Sequence, residues 1–78
     1  MGAALETIHI RLNYPIDQVK EPVLYRLIMD YNLVPNILRA NIEVHAGGTI
    51  DLELTGDRSA LDRGLKWLDT TGVSVVTL

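Results

Sequence analysis

Val34-Pro35-Asn36-Ile37-Leu38-Arg39-Ala40-Asn41-Ile42-Glu43-Val44 is the stretch on which the fold turns. Apolar and polar residues alternate along it with the period of a strand. Leu38, Ala40, Ile42 and Val44 are expected on one face, and Ile37, Arg39, Asn41 and Glu43 on the other. Pro35 lacks a ladder donor and suits an edge position. The Gly47-Gly48 pair that follows predicts a hairpin turn, because glycine supplies the positive φ angles of tight reversals. Residues 49–55 then return as a second strand, with Ile50, Leu52 and Leu54 inward and Asp51 and Glu53 outward.

Upstream, residues 7–13 alternate strictly: Ile8, Ile10 and Leu12 against His9, Arg11 and Asn13. Tyr14-Pro15-Ile16-Asp17 breaks that strand. Glu21-Pro22 opens a helix, since a carboxylate favours the positive N-terminal end and proline fits the first helical position. Leu24, Leu27, Ile28 and Tyr31 give it one apolar stripe, and Asn32 is a natural left-handed stop. Downstream, Asp57 is a good N-cap for a second helix whose apolar face carries Ala60, Leu61, Gly64, Leu65 and Leu68. Gly72 is expected to close it, before a short strand over residues 73–78. Gly64 costs that helix about 1 kcal/mol relative to alanine, which predicts close approach to a neighbour. Trp67 falls at the margin of the stripe and is expected to be partly buried.

The order is β-α-β-β-α-β. With right-handed crossovers it predicts an α+β ferredoxin-like sandwich: a four-stranded antiparallel sheet with two helices on one face. The first and third strands should be central, the second and fourth at the edges. Residues 1–78 make one domain, with residues 1–4 expected to be disordered.

Composition removes several functions. Seventy-eight residues bury only ~60% of their unfolded surface, so the core is thin. Without cysteine there is no disulfide, thiolate metal site or thiol catalysis. His9 and His45 lack metal-ligand spacing and read as surface histidines. A net charge of −3 has the wrong sign for a nucleic-acid binder. Nothing resembles a signal peptide or a membrane span, so a cytoplasmic protein that does not insert into membranes is expected.

The sheet face away from the helices should show His9, Arg11, Asn13, Ile37, Arg39, Asn41, Glu43, Asp51 and Glu53. It lacks the aromatic rings on which an RNA-recognition module stacks bases. The loop after the first strand has no glycine cradle for an acyl phosphate, and paired cysteines for metal carriage are absent. No catalytic residues and no cofactor are expected. Ion pairs of Arg11 or Arg39 with Glu43, Asp51 or Glu53 are the plain reading of the charges. Asn36 is either a turn or capping residue or a polar ligand contact, its amide offering one acceptor and two donors. An uncovered edge and a thin core together predict a homodimer, with residues 34–44 at or near its interface.

Asn36-Ile37-Leu38-Arg39-Ala40-Asn41-Ile42, with Glu21-Pro22-Val23-Leu24-Tyr25-Arg26-Leu27, Gly47-Gly48, Leu52-Glu53-Leu54-Thr55-Gly56 and Leu65-Lys66-Trp67-Leu68, resembles the NIL domain over residues 7–78. Such domains occur as tails of methionine-importer ATPase subunits, beside ferredoxin domains, and free-standing. The resemblance implies methionine binding near a domain interface, which in the transporter-linked members restrains uptake. Asn36, Ile37, Leu38, Ala40 and Ile42 would line that site, as pocket wall if a second surface closes over them and as core otherwise. A thioether suits such apolar walls. The first strand is closer to the ferredoxin-linked branch, associated with sulfur metabolism. That implies a second role, docking on a separate ferredoxin, sulfur-metabolism or transport protein, with Arg39, Asn41 and Glu43 facing the partner.

Overall fold

The computed structural model describes residues 4–15, 22–43 and 47–78. In chain order these form β1 (Glu6–Tyr14), α1 (Val23–Tyr31), β2 (Val34–Glu43), β3 (Gly47–Gly56), α2 (Arg58–Leu68) and β4 (Ser74–Thr77). The sheet runs β2-β3-β1-β4 with every neighbouring pair antiparallel, the ferredoxin-like arrangement expected. Ala4 is exposed and belongs to no element, while residues 1–3, Ile16, Asp17, Glu21, Val44 and His45 lie outside the described residues.

The helix ends follow from local chemistry. Pro22 is the N-cap of α1 rather than its first helical residue, and its carbonyl accepts from the Arg26 N–H at 3.0 Å. Asn32 closes the helix at φ 56°, ψ 39°, where the Asn32 and Leu33 N–H groups bond the Ile28 and Leu27 carbonyls. Asp57 caps α2, its carboxylate accepting from the Ala60 N–H at 2.7 Å. This helix ends at Leu68, short of Gly72. The Thr70 and Thr71 hydroxyls donate to the Trp67 and Leu68 carbonyls at 2.6 and 2.7 Å, satisfying the last turn before Gly72 reverses at φ 91°.

Between sheet and helices lies a core of Ile10, Leu12, Val23, Leu27, Leu33, Ile50, Leu52, Leu54, Ala60, Leu61, Leu68 and Val73. Leu33 is its pivot. A Cβ on Gly64 would stand 2.7 Å from Leu33 Cδ1 and 3.3 Å from Leu27 Cδ2, so the glycine in α2 is the seat on which α1 and its exit residue pack. The apolar stripe of α1 is rotated from expectation: Val23 and Leu27 are buried, Leu24 and Tyr31 half-buried, and Ile28 exposed.

One face assignment is corrected. The β2–β3 register steps from Ile37↔Leu52 to Arg39↔Asp51, leaving Leu38 as the extra residue of a β-bulge. Residues directly opposite in an antiparallel ladder share a face. Ile37 therefore lies on the helix side with Ala40 and Ile42, not on the open side with Arg39, Asn41 and Glu43. Nor does Leu38 continue the Ala40–Ile42 row. The hairpin reading also shifts. Gly47 and Gly48 already pair with Glu43 and Ile42, so they open β3 rather than form the reversal.

Candidate functional site: the edge strand and the open sheet face

The ten residues of β2 extend about 33 Å, whereas the nine of α1 make a rod of about 14 Å. The helix cannot cover the strand. Ile37 and Ile42 on its helix side are consequently 51 and 70% exposed, and Val34 on the open face and Leu38 at the bulge are 64 and 50% exposed, although all four are large and apolar. On its outer side β2 has no neighbouring strand in the sheet, leaving a run of backbone donors and acceptors.

The open face is built in cross-strand rows. Thr7 and Thr55 hydroxyls share a hydrogen bond of 2.8 Å. In the next row the Asn36 amide donates to Glu53 at 3.4 Å, a long contact beside exposed His9. The third row holds a bidentate pair, Arg11 Nε and Nη2 donating to the two Asp51 oxygens at 2.6 and 3.0 Å. That hydrogen-bonded guanidinium, with further attraction from Arg39 and His9, holds the Asp51 carboxyl below its ordinary range and outweighs its partial desolvation. Asp51 in turn raises the Arg11 guanidinium, by hydrogen bond first and charge second. Arg39 stands opposite Asp51 on the β2 side. The expected ion pairing is thus present through Arg11–Asp51.

The candidate residues fall into two sets on opposite faces of β2. Asn36 shares the open face with Arg39, Asn41 and Glu43, while Ile37, Ala40 and Ile42 share the helix side. Within one copy of the chain the two sets meet only around the outer edge of the strand. Asn36 bonds a side chain across the ladder rather than capping backbone.

On the helix side, Ile42 reaches a cavity of about 400 Å³ that is walled by Tyr14, Pro15, Val23, Tyr25 and Ile50 and lies beside the start of α1. Burial pushes the Tyr14 phenol above its ordinary pKa. Tyr14 and Tyr25 were not foreseen as site residues. Tyr25 carries a sequence signal, an aromatic off the helical stripe, and it is 58% exposed. Trp67, on the far side of the helices, is half-buried as expected, with Tyr31 5.8 Å away and the Arg26 guanidinium 5.9 Å from its ring centre. Among the described residues, no group of three His, Cys, Asp or Glu side chains gathers as metal ligands. No helix among them is long and apolar enough to cross a membrane.

This fold and motif can be set beside known proteins. The family model of the NIL domain matches residues 8–76. The chain belongs to the NIL domain family. A structural relative of this NIL domain is the C-terminal domain of an ABC transporter ATP-binding protein from Enterococcus faecalis. The two agree with a TM-score of 0.82 over 91% of this chain and 82% of that one, at 20% identity. Identity at that level speaks for the shared fold alone. Among curated proteins, no sequence matches this NIL domain.

Proposed function

We propose that this NIL domain is a regulatory domain that pairs with a second copy along β2 and binds methionine, or a related sulfur-containing small molecule, beside that edge. The observation that carries the reading is the state of β2: a ten-residue edge with its large apolar side chains half or more exposed. An α-amino acid fits the outer edge of a strand, its ammonium donating to a free carbonyl and its carboxylate accepting from a free N–H. The Asn36 amide holds only a 3.4 Å bond and is available to exchange it for ligand. A thioether lying round the edge reaches Ile37, and a second copy would close over it. In this reading the domain acts in the cytoplasm, binds, and performs no chemistry of its own.

Isothermal titration and thermal melting with L-methionine test it. Wild type should give heat and a raised melting temperature, and Asn36→Ala should lose both while keeping its unliganded melt. At a ligand concentration 100 times Kd the stabilisation is about 2.7 kcal/mol. The absence of both heat and stabilisation at millimolar methionine would count decisively against the reading.

A second reading rests on the helix beside the edge. Tyr25, Ile28 and Met29 on α1 are 58, 45 and 62% exposed, and Tyr25 shares a cavity with Ile42. This apolar surface fits docking on a separate ferredoxin, sulfur-metabolism or transport protein without a small ligand. Under that reading a specific partner is captured by wild type and lost on Met29→Glu, a change at an exposed position of α1, with folding unchanged.

A further inference from the structure

The open face divides into rows that satisfy themselves and one that does not. Thr7–Thr55, Asn36–Glu53 and Arg11–Asp51 each close a side-chain hydrogen bond across the ladder. Toward the Gly48 end, Asn41, Thr49, Asn13 and Ser74 stand in register across all four strands, β2 through β4. Among the described residues, none of these four side chains has a hydrogen-bond partner. Side chains of opposed residues lie close enough to interact, yet these four leave their donors and acceptors to the space above the sheet.

That space is shaped. The row lies in a concavity of about 550 Å³, bounded also by Tyr14, Glu43 and Gly72. Neighbouring strands are about 4.8 Å apart, so four residues in a row span about 14 Å. Two amides and two hydroxyls supply both donors and acceptors along that length, without charge. Among the described residues that line the concavity Glu43 is the one charged group, and its carboxylate favours an amine over an anion beside it.

We propose that this concavity is a second binding site, for a small polyhydroxylated molecule that is neutral or carries an amine. Its hydroxyls engage the Asn41–Thr49–Asn13–Ser74 row, and its amine sits against Glu43. The site lies beyond the Arg11–Asp51 row from Asn36 and does not depend on the methionine reading. Phosphorylated or carboxylated sugars fit it poorly.

Side-chain amide resonances of Asn13 and Asn41 report on the site directly. The ¹⁵N-labelled domain is titrated with glucosamine, glucose and glucose 6-phosphate, each into the millimolar range. The proposal expects glucosamine to move both amides most, glucose less, and glucose 6-phosphate least. Glu43→Gln should reduce glucosamine to the glucose response, and Asn41→Ala, an exposed change that leaves the fold intact, should weaken both by about tenfold. The methionine isotherm should be unaffected by Ser74→Ala, a change in the same row but on β4, at the opposite edge of the sheet from β2. Silence of both amides to all three sugars overturns the proposal, as does a preference for the phosphate or a response confined to the Asn36 amide.

Discussion

The two strands of the central hairpin have the same length and nearly the same chemistry, yet opposite fates. In β3 the inward residues Ile50, Leu52 and Leu54 are 6, 0 and 0% exposed. In β2 the residue paired with Leu52, Ile37, is 51% exposed, and Ile42 is 70% exposed. Position in the sheet makes the difference. β3 has a strand on each side and helices above it; β2 has one neighbour and a helix too short to shelter it. The other edge, β4, limits its exposure by having only four residues. A long edge with uncovered apolar groups is what the proposed pairing with a second copy would bury.

The sharpest way to break this comparison is to truncate both members of the Ile37–Leu52 pair. Leu52→Ala removes fully buried methyls and should cost 2–5 kcal/mol in urea unfolding, roughly the range for buried leucines. Ile37→Ala should cost less than about 1 kcal/mol in the isolated chain, since half of its surface is already in water. Equal losses would show that β2 is as much core as β3. Asp57→Ala tests the anchored end of β3, where the chain enters α2, and should cost about 1 kcal/mol through the lost cap.

The rows of the open face give a pH-dependent test. Arg11 lowers the Asp51 pKa in the folded state, so this pair adds stability above the ordinary carboxylate range. That contribution is lost as pH falls through the lowered value. The stability gap between wild type and Asp51→Asn should therefore be widest near neutrality and narrow below about pH 4. A gap that grows on acidification would contradict the assignment. The smallest effect is expected at Ile42→Ala, within about 0.5 kcal/mol for the monomer, with weakened self-association as its main consequence.

Much of the fold was legible in sequence for identifiable reasons. Strict alternation at Ile8, Ile10 and Leu12 and at Ile50, Leu52 and Leu54 assigned both central strands and their inner faces. Asn32 and Asp57 marked helix ends because their side chains suit a left-handed stop and an N-cap. The bulge at Leu38 was not legible. An inserted residue changes which way its neighbours point without changing their chemistry, so Ile37 read as outward when it is inward. The candidate set around Asn36 was accordingly named by residue but could not be divided between faces. The unsatisfied row was hidden for a related reason: Asn13, Asn41, Thr49 and Ser74 are scattered over the chain, and only long-range register lines them up.

The state of association decides the central claim that β2 is an interface. Sedimentation equilibrium of wild type beside Ile42→Lys, a substitution at a 70% exposed position, measures it most directly. Wild type should sediment at twice the 8.7 kDa chain mass and Ile42→Lys at 8.7 kDa, with matching thermal melts at low concentration. A wild type that stays at 8.7 kDa at every concentration, or a lysine variant that remains as dimeric as wild type, would contradict the account.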